Sequence, residues 1–414
     1  MKVILFLLRG CHVGWLGTYG NEWVGTPHCD RLAYEGIVWD RYYADEVDSL
    51  RQRQRLISLV HTLRTGGVTT ALVRAHAQVH DFPAPFYEPW EYLFDARPEA
   101  GHSPLRPFVE HWPSILDRLA NVPRFFLCVD LGRLLPPWEV PQEVFAAYLD
   151  LEETAAAQVV DEAERAAAGE DIPSLIPSPQ ENDDPATVEE ISPCTEPIAG
   201  PFDTTDAAAW QWLHASFAAV VTTWDAEIGT AWDYLRQHPL QQEAIWILTS
   251  DLGFPLGEHG RVGWDRPWLY EEVVHLPLII RLPGADQGGR RVSALTQSTD
   301  LLATLAEAFL GSVPPTIEGQ SLLPLMQRQL FSGRQEVISY WEMEHAAEVA
   351  LRTDSWSFLL PLRIPAGEER WPQLYAKPED RWEVNDLRPR QLTQAEIYEA
   401  RLRAWIQQRM PHLA

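Results

Sequence analysis

Lysine is almost missing from this sequence: Lys2 and Lys377 are the only two. The positive charge is therefore nearly all arginine, and it is outnumbered. There are 33 basic against 59 acidic residues, a net charge of -26. That balance argues against non-specific binding to nucleic acid or to an anionic membrane surface. A polyanionic partner would need arginines gathered locally. Long hydrophobic runs are missing too, and no stretch approaches the ~18 apolar residues of a membrane span. The opening MKVILFLLRG is too short an apolar run for a secretory leader, and no small-residue cleavage site follows it. Cysteine is scarce. Cys11, Cys29, Cys128 and Cys194 show no metal or disulfide spacing, and are expected to be reduced thiols in a cytoplasmic protein.

What is present is enough to build a large core. The chain has 414 residues, 46% of them hydrophobic, which suits one big domain or two. Apolar runs at 3–8, 67–73, 124–131 and 244–248 predict buried strands. Between them lie helix signals. Thr26 and Pro27 open a helix that Gly36 ends. Trp210, Leu213, Phe217, Val220, Val221, Trp224, Ile228, Trp232 and Leu235 recur at spacings of three and four, a long core-facing stripe. Residues 81–123, rich in proline and aromatics, read as a packed connection. Residues 151–206 are crowded with Asp and Glu, and read as a short helix near 151–168 followed by a flexible acidic loop. The pattern is α/β.

The chain is organised around Glu243 to Gly260. A buried strand ends in Thr249-Ser250-Asp251, and Gly253, Pro255, Gly257 and Gly260 then break the backbone. An acid at the carboxyl end of such a strand stands where open α/β sheets place ligands and metals.

Thr249-Ser250-Asp251-Leu252-Gly253 with Gly257-Glu258-His259-Gly260 resembles the sulfatase family, within the alkaline-phosphatase-like superfamily. So do Leu16-Gly17-Thr18-Tyr19-Gly20, the segment Thr26 to Gly36, Leu269 to Gly284 and Gly319 to Leu325. The resemblance covers almost the whole chain apart from 151–206. It implies an alkaline-phosphatase-like sandwich: a central, mostly parallel sheet flanked by helices, residues 1–335, with a small C-terminal α+β subdomain, residues 336–414. It also implies a divalent-cation site, Ca²⁺ or Mg²⁺, and a Cys or Ser converted to formylglycine.

At the chemical positions the match fails. Arg9 and Gly10 stand where the family keeps an acidic pair for the cation, and an arginine cannot ligate a hard divalent ion. Leu252 replaces another ligand, leaving Asp251 alone. Leu135 takes the place of the histidine that protonates the leaving group, and a leucine cannot donate a proton. The segment Ser49-Leu50-Arg51-Gln52-Arg53 keeps a serine at the nucleophile position and Arg53 at the family arginine. Arg51, however, replaces the proline that the modifying enzyme reads. Ser49 also suits a plainer role as N-cap of the helix implied by Leu56, Ile57, Leu59, Val60 and Leu63, and that is the reading we prefer. His76 is expected in a partly exposed loop.

Arg9 is expected to stand where the cation would, paired with Asp251, because an unpaired buried carboxylate is costly. The resulting expectation is a sulfatase-like protein that has lost its metal and acid/base positions: a non-catalytic or anion-binding pseudoenzyme without cofactor, for which a small sulfated or phosphorylated ligand is the fitting partner. The alternatives are a divergent sulfuric or phosphoric ester hydrolase acting through Ser49 and Arg53, with Ca²⁺ or Mg²⁺, and a structural partner of an active paralogue.

Overall fold

All nine residues of the strand Lys2–Gly10 are buried, as a strand covered by helices on both faces must be. It is the centre of the computed structural model, which describes residues 1–76, 80–98, 105–132, 134–149, 191–265, 268–328 and 333–413. Phe125–Leu131 pairs with it in parallel on one side and Ala244–Gly253 in parallel on the other. The eight-stranded sheet continues outward through Thr69–Ala75 to Tyr92–Asp95 at one edge. At the other edge it runs through Leu278–Arg281 and Ile37–Trp39 to Arg290–Val292. Leu278–Arg281 alone runs against its neighbours. The sheet is mostly parallel, as expected.

Helices cover both faces. On one, Phe6, Trp112, Trp224 and Trp232 meet in a core built with Arg106–Ala120 and the 31-residue helix Ala207–Gln237. On the other, Leu5, Leu59, Leu63 and Leu305 pack the helices Ser49–Thr65 and Ser298–Leu310. The C-terminal part is a four-stranded antiparallel meander, Glu336–Glu342, Ala347–Thr353, Trp356–Arg363 and Gln373–Ala376. The helix Leu392–Arg409 closes a small core of its own against it through Tyr398, Leu402 and Ile406.

The structure departs from expectation between 81 and 123. The strand Tyr92–Asp95 and the helix Arg106–Ala120 both lie there. Pro107 is accommodated in the first turn, where no amide partner is needed. Of the acidic stretch 151–206, residues 151–190, with the expected helix, lie outside the described residues. Within 191–206, Cys194 is buried with its amide on Ser216 Oγ, and Gly200–Pro201 pairs with Arg261–Val262. All four cysteines are free and buried. Among the described residues no helix is long and apolar enough to cross a membrane.

Candidate functional site

The carboxyl ends of Lys2–Gly10, Phe125–Leu131 and Ala244–Gly253 lie side by side, and the helix Ser49–Thr65 starts above them. Strand order thus brings Arg9, Asp130 and Asp251 together. The helix adds Ser49 and, one turn on, Arg53. Gly10 lets the first strand turn away, with φ at +84°. A β-carbon there would stand 3.0 Å from Leu135 Cδ2, so the leucine at the expected acid position packs directly on the strand end.

Arg9 corrects one expectation. Its hydrogen bonds go to Asp130, not Asp251: Nε donates to Oδ1 at 3.1 Å and Nη2 to Oδ2 at 2.6 Å. This is the planar two-point match that guanidinium and carboxylate favour. The third corner, Nη1, donates to the His80 carbonyl at 2.7 Å. Arg53 Nη2 donates to the same Asp130 at 2.9 Å and lies 3.7 Å from Asp251. Arg9 and Arg53 are 3% and 5% exposed, so these are dry ion pairs rather than surface ones. Burial alone would raise the Asp130 carboxyl; Arg53 and Arg9 outweigh it and hold Asp130 well below the usual carboxylate range.

Asp251 is less well served. Burial raises its pKa in spite of the two nearby arginines. It accepts a hydrogen bond from Ser49 Oγ at 3.1 Å and one from the Leu252 amide at 2.7 Å. Gln52 Nε2 anchors the helix to the same strand end, donating to the Asp251 carbonyl at 3.0 Å and the Glu46 carbonyl at 2.6 Å.

Ser49 is not the N-cap. Asp48 is, its carboxylate accepting the Arg51 amide at 3.1 Å, and Ser49 is the first helical residue. An acid at the cap satisfies an orphan amide and also complements the positive end of the helix dipole. Ser49 is thereby left free to reach Asp251. Arg51 sits in that first turn with its charge answered by Glu46 at 2.8 Å and Asp48 at 3.6 Å. These carboxylates offset the unfavourable placement of a base in a helix's first turn.

His76 is also corrected. It is 1% exposed, its Nε2 3.6 Å from Asp130 and its Nδ1 3.8 Å from Asp81, because it follows directly on the buried strand Thr69–Ala75. His80 is pushed down to about 4 by burial, with Arg9 and His76 adding to the effect. Phe82 covers the group: its ring centre lies 4.3 Å from the Arg9 guanidinium carbon and 5.3 Å from that of Arg53.

Asp130 is the residue that sequence reasoning missed. The rule that singled out Asp251, an acid at the carboxyl end of a buried strand, applies equally to it.

Little space remains. The cavity beside Asp251, Arg53 and Gln52 holds about 60 Å³, and that between Asp130 and Phe82 about 20 Å³. The second is water-sized, and the first has room for a few waters. The donor set does not fit a divalent cation either. Two carboxylates are present, and two guanidiniums lie against them where further oxygen ligands would have to stand. Among the described residues no group of three or more His, Cys, Asp or Glu side chains could hold a metal ion.

Residues 174–312 match the family model described as Sulfatase, and residues 257–411 that described as N-sulphoglucosamine sulphohydrolase, C-terminal. N-acetylglucosamine-6-O-sulfatase of Bacteroides thetaiotaomicron is 35% identical over 120 residues, 29% of this chain and 21% of that protein. Arylsulfatase K of Bos taurus is 28% identical over 185 residues, 42% of this chain and 33% of that one. The chain thus spans a third or less of the length of these two relatives. Among solved structures, one in complex with its substrate D-glucosamine-2-N,6-O-disulfate has a TM-score of 0.68 at 16% identity, covering 99% of both chains. The phosphonate monoester hydrolase of Agrobacterium radiobacter has a TM-score of 0.67, also at 16% identity, over 98% of this chain and 95% of that one. At that identity the likeness is one of fold.

Proposed function

The chain belongs to the sulfatase family, and from that premise we propose that it is a member without ester-cleaving activity, its scaffold kept and its catalytic centre replaced by an internal salt bridge. The observation that carries this reading is the two-point pairing of Arg9 with Asp130, shared by Arg53 and covered by Phe82. A positive side chain stands where the family's cation would lower the charge of an ester. The leaving group has no proton donor at position 135, and the cavity beside Asp130 holds only about 20 Å³.

The same arginines give the protein a chemistry for binding. A small sulfated or phosphorylated molecule is the ligand they suit, with Arg53 Nε buried and unpaired. Such a ligand would have to displace Phe82 and compete with Asp130, so binding would be weak and salt-sensitive.

The test is a pair of measurements. Aryl sulfate and aryl phosphate are assayed with and without Ca²⁺, Mg²⁺ or Mn²⁺, and Ca²⁺ binding is followed by calorimetry. No turnover and no micromolar Ca²⁺ binding are expected.

A second reading has one observation of its own. Ser49 Oγ lies 3.1 Å from Asp251, whose pKa burial raises. That is a serine beside an acid suited to take its proton, the arrangement of a divergent sulfuric or phosphoric ester hydrolase. Turnover that Ser49→Ala abolishes would establish it in place of the first.

A further inference from the structure

A second, larger and more polar cavity reaches the helix Ser49–Thr65, not at its start but along its outer side. It is a cleft of about 700 Å³ between the C-terminal helix and the body of the protein, within the ~300–1,000 Å³ of ordinary ligand pockets. Its floor follows from strand geometry. Glu336–Glu342 is an edge strand with strictly alternating burial, so Glu336, Ile338, Tyr340 and Glu342 all face the cleft. The C-terminal helix lays Trp405 against Tyr340, ring centres 5.7 Å apart and planes tilted by 48°. The middle of the cleft is therefore apolar and aromatic, and its two ends are carboxylates.

The rim is charged, but each charge is already answered. Arg55 pairs with Asp45 and Glu46, and also donates to the Tyr340 hydroxyl at 3.0 Å. Arg334 pairs with Asp300 at 3.0 Å and Arg409 with Glu318 at 2.9 Å. Glu336 is met by Arg401 at 3.0 Å and Glu342 by His412 at 2.9 Å. With the cations neutralised, nothing in the cleft is set to capture a sulfate or phosphate. What remains is a ring of alternating donors and acceptors around an aromatic floor. That combination recognises a molecule with one apolar face and hydroxyls at its edge.

We infer that this cleft is a binding site for a neutral sugar, one ring face laid on Trp405 and Tyr340 and its hydroxyls shared among the paired rim charges. The inference does not depend on whether the Asp130 centre is catalytic. The cleft and the cavity beside Asp251 share Asp45, Arg55 and Thr299 as lining, and Asp45, Glu46 and Gln52 brace the helix between them.

The experiment titrates the full-length chain with N-acetylglucosamine, cellobiose and maltose as neutral probes and with glucose 6-sulfate as the charged one. Tryptophan fluorescence and saturation-transfer NMR are the readouts. At least one neutral sugar is expected to bind more tightly than glucose 6-sulfate. Trp405→Ala is expected to weaken that binding by about tenfold, the worth of one aromatic contact. If that variant does not fold, Glu318→Ala on the exposed rim, which frees Arg409, is expected to shift preference toward glucose 6-sulfate. The inference is overturned if no neutral probe binds, if neither Trp405→Ala nor Glu318→Ala alters binding, or if glucose 6-sulfate binds more tightly than every neutral probe.

Discussion

Two buried carboxylates compete for two buried arginines at the strand ends, and Asp130 wins both. It sits on the neighbouring strand in register with Leu7, so the guanidinium of Arg9 meets it squarely. Asp251 has to make do with a hydroxyl, an amide and a distant charge. Arg9→Ala should therefore destabilise the fold, at the lower end of the roughly 3–5 kcal/mol that a broken buried pair costs, because Arg53 still answers Asp130. Replacing both partners with apolar side chains, as in Arg9→Met with Asp130→Leu, should recover most of that loss. Urea denaturation of the two variants checks both statements. A double variant as unstable as the single one would mean that the His80 carbonyl and Phe82 contacts of Arg9 matter more than its charge. Arg9 was legible from the sequence as a substitute for a cation. Its partner was not, because the pairing follows from strand order, and local sequence does not encode which strands become neighbours.

At the scale of the element, the helix Ser49–Thr65 shows how one position shifts a functional reading. Both Asp48 and Ser49 are good caps by residue type, and the choice between them decides whether Ser49 is occupied or free. With Asp48 capping, Asp48→Ala should cost about 1 kcal/mol and leave the Asp130 centre intact. Ser49→Ala should cost about 1–2 kcal/mol through the lost bond to Asp251, a charged acceptor. Thermal melts of the two variants separate the roles; a neutral Ser49→Ala would mean that its bond to Asp251 contributes nothing. The helix Arg106–Ala120 failed the same kind of reading for a different reason. Phe108, Trp112, Ile115, Leu116 and Leu119 recur at helical spacing and are all buried. Pro107 and Pro113 hid that stripe, since proline is read as a breaker; Pro107 falls in the tolerant first turn, and the helix runs on through Pro113 in its interior.

Across the whole molecule, the strands that form the sheet's centre were legible because they are buried on both faces and so are continuously apolar. The outer strands are short, three or four residues, and gave no such signal. The joint between body and C-terminal subdomain was not legible at all. Arg352 of the meander is 1% exposed and is held by Glu271 at 3.0 Å and Glu383 at 3.0 Å, with Lys377 3.3 Å from Glu271. Beside it His259 bonds Glu272 at 2.7 Å and the Glu383 carbonyl at 3.2 Å, stacked 3.6 Å from Tyr270. Burial would lower the pKa of His259; the Glu272 carboxylate outweighs it and raises the value to about 9. A raised folded-state pKa stabilises fully below the unfolded value of about 6.5. That contribution is then lost as pH climbs through about 9. Melting temperature should fall across that window, and Glu272→Gln should flatten the fall. An equal slope in both proteins would assign the pH dependence to other groups.

The central strand also dictates how this molecule is assembled. Lys2–Gly10 is buried along its whole length and continuously apolar from Val3 to Leu8, yet its first neighbour begins at Phe125 and its second at Ala244. During synthesis it must wait, uncovered, until more than half the chain has followed. A topology closed by such distant pairings folds slowly and is prone to self-association meanwhile, so recovery from denaturant should be slow, concentration-sensitive and helped by a holding chaperone.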